Sequence, residues 1–281
     1  MTYAVTGASG QLGRIVVEKL KAKAPASEIA ALARSPEKAA DLGVPVRQAD
    51  YTKPDTLEKA LAGVDVLLLI SSSEIGHRAP QHHNVLQAAK AAGVKRVVYT
   101  SLLHADTSPL SLAPEHAETE KELKGLGIPF TILRNGWYTE NNTGFVKGAV
   151  AGGALIGAAG EGRISGATRA DFADAAVVAL ADASHAGKTY ELAGDNAYTL
   201  ADLAAEISRQ TGKSIPYKNL SAADYAKALT GFGLPGSIAE ALAGWDALVP
   251  KGVLFDDGKA LSRLIGRPTT PLSTAVAAAL A

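Results

Sequence analysis

The 281-residue chain contains no cysteine. It can form neither a disulfide framework nor a zinc site built on thiolates, and it has no thiolate nucleophile. Charge of one sign is not in excess either, because 28 Lys and Arg residues balance 28 Asp and Glu residues. A chain without net charge creates no global field that would attract nucleic acid or an anionic membrane. We therefore expect no nucleic-acid partner.

Long hydrophobic runs are also missing. The most apolar run, Val64 to Ile70, is interrupted by Asp65 and is far shorter than the ~20 residues of a membrane helix. The segment Met1 to Thr6 has neither the basic region nor the apolar stretch of a signal peptide. We expect no membrane association and a cytoplasmic location.

Several catalytic signatures are absent. The chain has no Gly-x-Ser-x-Gly motif and no lysine at the end of its glycine-rich turn, which disfavours hydrolases and nucleotide triphosphatases. None of the eight tyrosines is followed four residues later by a lysine, a pair that many reductases use to donate a proton. The six histidines show no metal-binding spacing, so we expect no metal.

Short aliphatic runs alternate with amphipathic, alanine-rich segments through the first half of the chain. The predicted strands are Tyr3–Thr6, Ile29–Ala33, Pro45–Gln48, Val66–Ile70, Arg96–Thr100 and Phe130–Leu133. Strands that alternate with helices form a parallel sheet, and nearly continuous apolar runs indicate strands covered on both faces. The sequence predicts an α/β protein with a doubly wound parallel sheet of the Rossmann type.

The pattern changes after Leu133. Residues 144–166 are rich in glycine without a clear period, so we expect little regular structure there. Further on, Thr199 and Ser221 each precede an aspartate by three residues, as at helix starts. We predict a nucleotide-binding domain over residues 1–133 and a smaller, mostly helical substrate-side region over residues 134–281, with segments that return to the first domain.

A glycine-rich turn, Gly7 to Gly13, links the first predicted strand to a helical pattern. Glycine at its three positions permits a tight turn, a close approach of backbone N–H groups to a pyrophosphate, and close packing of helix on strand. The residues predicted to hold the pyrophosphate are Gly7, Ala8, Ser9, Gly10, Gln11 and Leu12. The alternative is a turn that binds no ligand.

The second predicted strand ends in Ala33, Arg34 and Ser35 without an acidic residue. A carboxylate at this position binds the ribose of NAD, whereas an arginine accommodates the 2′-phosphate of NADP. We therefore predict NADPH as the cofactor, held by Arg34, with an ordinary surface arginine as the alternative. Asp50, after the third strand, could bind the adenine amino group or cap the next helix.

Polar residues follow the fourth, fifth and sixth strands, where a ligand of an open α/β sheet lies. Ser71, Ser72 and Ser73 are candidates to bind the cofactor, and Trp137 and Tyr138 could stack on a flat substrate. The sequence assigns no catalytic residue, and Tyr138 and His116 are the candidates that it offers. For His116 a partly exposed surface histidine is the alternative.

The chain resembles the NmrA-like branch of the atypical short-chain dehydrogenases, most closely its NADPH-dependent quinone reductases and more distantly its triphenylmethane dye reductases. The stretches that carry the resemblance are Thr6–Gly13, Ile70–Glu74, Arg78–His82, Thr100–Pro109, Leu133–Asn141 and Ala167–Asp171. The resemblance implies cofactor contacts to Gly7 through Leu12, Arg34, Tyr138, Thr139, Glu140, Asn141, Asn142, Thr143 and Arg169. The branch lacks the Tyr–Lys pair, as this chain does.

Three functions fit these features. The first is NADPH-dependent transfer of a hydride to a quinone or a similar planar acceptor, with solvent supplying the proton. The second is a redox sensor that binds NADP(H) without turnover and signals to a protein partner, and the third is a reductase of another aromatic substrate. A homodimer is a further expectation, because two-fold dimers are the commonest oligomers.

Overall fold

A seven-stranded, entirely parallel sheet forms the centre of the computed structural model, which describes residues 1–281. Its strands are β1 (Tyr3–Val5), β2 (Ile29–Ala33), β3 (Val46–Gln48), β4 (Val66–Leu69), β5 (Arg96–Leu102), β6 (Phe130–Asn135) and β8 (Lys188–Leu192). The spatial order is β3-β2-β1-β4-β5-β6-β8, so the chain reverses direction across the sheet between β1 and β4. A ligand-binding crevice lies at such a switch point. The predicted α/β fold class is confirmed.

Helices flank both faces and form a smaller second region. They are α1 (Gln11–Leu20), α2 (Pro54–Leu61), α3 (Arg78–Ala91), α4 (Ala113–Gly125), α5 (Thr139–Thr143), α6 (Val146–Gly152), α7 (Arg169–Ala181), α8 (Leu200–Thr211), α9 (Ala222–Gly231), α10 (Gly236–Asp246), α11 (Ala260–Ile265) and α12 (Leu272–Leu280). None of these helices combines the length and the apolar character needed to span a membrane.

The core is split by the sheet into two layers. On one face α1, α7 and α11 bury residues such as Val16, Phe172 and Leu261 against the strands. On the other face α2, α3 and α4 bury residues such as Leu57 and Leu86. Both faces of the strands are therefore covered, which explains why β4 is apolar without alternation.

β8 was not among the predicted strands. It lies at the edge of the sheet beside β6, and Lys188 and Thr189 in its first half are exposed to solvent. An edge strand of mixed polarity lacks the continuous apolar run that identifies the buried strands. Two elements of the second half belong with the main sheet, because β8 pairs with β6 and α7 packs against one face of the sheet. The predicted boundary at residue 133 falls inside β6.

The second region has its own apolar cluster, to which α6, α8, α12 and the short strand β7 (Leu155–Gly157) contribute buried residues and the short strand β9 (Tyr217–Asn219) a partly buried tyrosine. The expectation of little regular structure in residues 144–166 was wrong, because α6 and β7 lie there. Glycine in this stretch allows close packing: a Cβ at Gly157 would lie 2.6 Å from a methyl group of Leu200. The predicted caps are confirmed, since Thr199 and Ser221 accept backbone N–H groups of Asp202 and Asp224.

Candidate functional site

A cleft of about 640 Å³ runs along the carboxyl ends of the strands and lies in the usual size range of ligand sites. Segments that follow β1, β2, β4, β5 and β6 all contribute to its wall. Of the residues predicted as the site, the structure brings together Gly7, Ser9, Gly10, Gln11, Leu12, Arg34, Ser71, Ser72, Ser73, His116, Tyr138, Asn141 and Arg169.

The glycine turn forms one end of this cleft. Gly7 has a φ of +58°, and a Cβ at Gly13 would lie 2.3 Å from the carbonyl oxygen of Gly7, so neither position tolerates a side chain without strain. The backbone N–H groups of Gln11 and Leu12, in the first turn of α1, donate to no acceptor of the protein. Free N–H groups at a helix start suit an anion, so the turn fits the pyrophosphate of a dinucleotide.

Arg34 lies over the cleft with 69% of its side chain exposed. Its Nη1 is 2.8 Å from Oε1 of Glu74, and Nε2 of Gln81 donates to the other carboxylate oxygen. The two bonds, that from Gln81 first, hold the pKa of Glu74 below its usual value. The Arg34 guanidinium is thus positioned across the cleft by a carboxylate that follows β4.

Asp50 also lines the cleft, but it does not cap α2. Its Oδ1 accepts the backbone N–H and the hydroxyl of Thr52, and Lys53 occupies the cap position without a side-chain bond. Of the two predicted roles of Asp50, only an adenine contact is compatible with this position.

The surface alternative for His116 was wrong. The residue is only 5% exposed because its face of α4 packs against β5 and the start of α3. Its Nε2 accepts from Nη1 of Arg78 at 3.2 Å, which leaves the imidazole proton on Nδ1, 2.8 Å from the Tyr99 hydroxyl. Burial, together with the Arg78 charge, lowers the pKa of His116 to about 3. Near neutral pH the imidazole is therefore uncharged, and its one ring proton, on Nδ1, is directed at Tyr99.

Tyr138 is packed between other side chains, and its surroundings favour the protonated phenol. Its ring lies between Phe172, at 5.3 Å in an edge-on arrangement, and the Arg169 guanidinium, 4.6 Å from the ring centre. Burial raises the pKa of its phenol. Asn135 and the charges of Arg169 and Arg78 act in the opposite direction but do not outweigh burial, and no histidine or lysine hydrogen-bonds to the hydroxyl.

Five of the predicted cofactor residues do not reach the cleft wall. Ala8, Thr139 and Thr143 are buried in the protein. Asn142 accepts a hydrogen bond from Tyr198, and Glu140 accepts the backbone N–H of Arg169. These five residues form no part of the cleft wall, and their contact with the cofactor stays a prediction.

Sequence reasoning missed several residues of the far end of the cleft. Three of the four buried side-chain atoms without a hydrogen-bond partner lie on its lining residues: Arg78 Nε, Asn135 Oδ1 and Trp137 Nε1. Buried polar atoms are nearly always satisfied, so orphans gathered in one cleft indicate a polar ligand. Asn135 and Arg78 stood in segments already singled out, but only their lack of partners marks them.

Trp245 could not be found from the sequence, because it comes from α10, far along the chain. Its ring lies edge-on to that of Trp137 at 6.2 Å, and its Nε1 donates to the Ser111 hydroxyl. With Leu102 and Leu112 the two tryptophans give this end of the cleft an aromatic and apolar wall. Such a wall suits a flat, largely apolar molecule.

The sequence model of the NAD(P)H-binding family matches residues 7–183. Quinone oxidoreductase 2 of Escherichia coli strain K12 is 58% identical over 276 residues, which cover 97% of this chain and 96% of that protein. The crystal structure of an NADPH-dependent quinone oxidoreductase from the same species, complexed with NADPH, has a TM-score of 0.96 at 56% identity and covers 100% of both chains. The triphenylmethane reductase of Citrobacter sp., complexed with NADP(H), has a TM-score of 0.95 at 38% identity over 99% of this chain and 100% of that one.

These similarities confirm the resemblance to quinone and dye reductases that the motifs indicated. Two of these similar structures hold a dinucleotide, which agrees with a cleft that has free N–H groups at the glycine turn and buried polar atoms without hydrogen-bond partners at the opposite end. The chain belongs to the NAD(P)H-binding family.

Proposed function

We propose that this protein is an enzyme that reduces a quinone, or a similar planar acceptor, with NADPH. The observation that carries the proposal is one continuous cleft with an anion-binding turn at one end and an aromatic wall with unsatisfied polar atoms at the other. The similarity to a quinone oxidoreductase over nearly the whole chain supports the same assignment.

The proposed cofactor contacts follow the cleft wall. The glycine turn holds the pyrophosphate, Arg34 binds the 2′-phosphate, and Ser71, Ser72 and Ser73 lie along the ribose and nicotinamide half. Arg169 is kept in place by Asn141 Oδ1 at 3.0 Å and by the Glu140 carboxylate at 3.5 Å. Its guanidinium in turn covers the Tyr138 ring and fixes this side of the cleft.

The bound nicotinamide supplies a hydride from its C4 atom. The protein's part is to hold the acceptor at reacting distance, for which the wall formed by Trp137 and Trp245 provides a flat apolar contact. Neither His116 nor Tyr138 has the environment of a general acid, so the proton that completes the reduction comes from water.

The direct test is NADPH oxidation, followed at the absorbance band of the reduced nicotinamide, with a simple benzoquinone and corrected for the uncatalysed reaction. We expect enzyme-dependent turnover with NADPH and little with NADH. Tight NADPH binding without turnover of any quinone would contradict the proposal and indicate the sensor function. A cytoplasmic location and a homodimer stay predictions from the sequence.

Substitution of His116 tests the source of the proton. Because the neutral imidazole has no proton to donate on the Arg78 side, His116→Phe should reduce kcat by less than about 10-fold, whereas loss of a general acid costs about 100-fold or more. The measurement is kcat against pH for both proteins. An inflection near pH 6.5 that is present in the wild type and lost in the variant would make His116 the acid after all.

A further inference from the structure

Arg78 is the cation of the cleft that lacks an acidic partner. Three arginines line the cleft: Arg34 is paired with Glu74 and Arg169 with Glu140, whereas Arg78 has no carboxylate within ion-pair distance. Its Nε is buried without any hydrogen-bond partner. Arg78 is half-buried at the cleft wall, and a partly desolvated charge without an ion-pair partner suits an acceptor that arrives with a ligand.

The acidic residue that lies near Arg78, Glu115, has its carboxylate engaged by backbone groups. Glu115 accepts the backbone N–H groups of Gly76 and Arg78 at 3.0 and 2.7 Å, and these bonds fix the start of α3. The only side-chain hydrogen bond of the guanidinium is the one it donates to Nε2 of the neutral His116. The Glu115 charge acts on Arg78 from a distance, but no carboxylate forms an ion pair with the guanidinium, whose Nε stays free to donate to a ligand.

The position of Arg78 separates it from the cofactor phosphates. It lies where α3 follows β4 and contacts α4, which follows β5, on the far side of the sheet's switch point from β2 and Arg34. A dinucleotide lies across the carboxyl ends of the strands at the switch point, so with its 2′-phosphate at Arg34 beyond β2 its nicotinamide end extends towards β4 to β6. Ser72, Thr100 and Tyr138 line the same part of the cleft.

We propose that Arg78 donates a hydrogen bond to a carbonyl oxygen of the planar acceptor and stabilises the negative charge that develops on it. The C4–H bond of the reduced nicotinamide breaks, its electron pair and hydrogen pass to the quinone, and the hydroquinone monoanion forms. A proton from water then gives the hydroquinone. This role rests on the proposed quinone reduction, and it assigns to Arg78 the charge stabilisation that a site without a general acid needs.

The kinetic test compares Arg78→Met, Arg78→Gln and Arg78→Lys with the wild type. The two neutral variants should lower kcat/KM for a benzoquinone by ~100-fold, as expected for the loss of one donor to an oxyanion, and lysine should restore most of it. The NADPH dissociation constant, measured by fluorescence titration, should change by less than about 3-fold. Glutamine can still donate to His116, so it keeps the test valid if the methionine variant does not fold.

A second readout does not depend on turnover. The phenolate of 4-nitrophenol, whose ionisation is visible by absorbance, serves as a stable analogue of the hydroquinone monoanion in the complex with NADP⁺. Arg78 should lower the pKa of the bound phenol, and the neutral variants should abolish that shift. Arg163→Met is the matched control, because Arg163 lies outside the cleft against the Phe255 ring.

The outcomes separate the two proposals. If the wild type reduces no quinone, the proposed function fails, while the phenolate titration still tests Arg78. A rise in the NADPH dissociation constant that matches the loss of activity would place Arg78 on the cofactor instead. Unchanged kcat/KM and phenolate ionisation in the neutral variants would reduce Arg78 to a structural residue and overturn the inference.

Discussion

Arg34→Asp is expected to weaken NADPH binding by about 4 kcal/mol, roughly 1,000-fold, and to affect NADH much less. The loss of charge-assisted bonds to the 2′-phosphate contributes about 3 kcal/mol. The new carboxylate repels the 2′-phosphate, and so does the Glu74 carboxylate, which Arg34 neutralises in the wild type at 2.8 Å. This repulsion adds about 1 kcal/mol. NADH has no phosphate at this position and loses only a weak, solvent-exposed contact.

The measurement is the dissociation constant of each dinucleotide by calorimetry or fluorescence titration. Arg163→Asp makes the same change of charge at a surface position outside the cleft and should leave both constants within about 2-fold. Equal weakening of NADPH and NADH binding by Arg34→Asp would show that Arg34 maintains the structure of the cleft and does not recognise the 2′-phosphate.

The parts of the fold that the sequence predicted are those encoded by neighbouring residues. The glycine turn requires glycine for backbone reasons, and the buried strands need apolar side chains on both faces, so both leave a local pattern. The edge strand β8 leaves none, because its exposed first half contains residues that a loop would also contain. The same holds for α6 and β7, whose glycines obscured the elements they connect.

The site was predictable in part for the same reason. Arg34 and the three serines follow strands directly, and their place at the edge of the sheet follows from the parallel topology. Arg78 and Trp245 could be recognised as site residues only from tertiary contacts. Arg78 is marked by its unpaired Nε atom, and Trp245 is marked by its packing against Trp137. The burial of His116 was missed because α4 carries many charged residues and has no continuous apolar stripe.

His82 and His116 should make the protein less stable in mild acid. Both are buried, and the pKa of each is lowered to about 3, by burial first and by the Arg78 charge second. The hydrogen bonds agree, since Nε2 of His82 accepts the backbone N–H of Ser72 and cannot be protonated without breaking that bond. Its Nδ1 donates to the Thr119 hydroxyl, which itself donates to the Glu115 carbonyl.

The sign follows from proton binding. Below pH 6.5 the unfolded chain protonates both imidazoles and the folded protein does not, so stability falls as the pH falls. Each histidine lowers the free energy of unfolding by up to about 1.4 kcal/mol per pH unit once the unfolded imidazole is largely protonated, or about 3 kcal/mol for the pair between pH 6.5 and about pH 5.

Asp246 acts in the opposite direction. Burial raises the pKa of this carboxyl to about 6, so the folded protein takes up a proton there before the unfolded chain does. Below its folded pKa this group returns about 1.4 kcal/mol per pH unit, which offsets about 1 kcal/mol down to about pH 5. The net expected loss is about 2 kcal/mol. Paired carboxylates such as Glu120, whose pKa is lowered, contribute only in stronger acid.

Urea unfolding at a series of pH values measures this loss. His82→Gln and His116→Gln should each flatten the dependence between pH 6.5 and about pH 5 by up to about half, even where they lower stability at neutral pH. His83→Gln is the matched control, because His83 is the next residue along α3 but is exposed and pairs with Glu122 on the surface. A slope that is unaffected by the His82 and His116 substitutions would mean that both imidazoles take up protons in the folded protein. His116 could then carry a proton into the cleft, and the argument that water supplies the proton for quinone reduction would lose its basis.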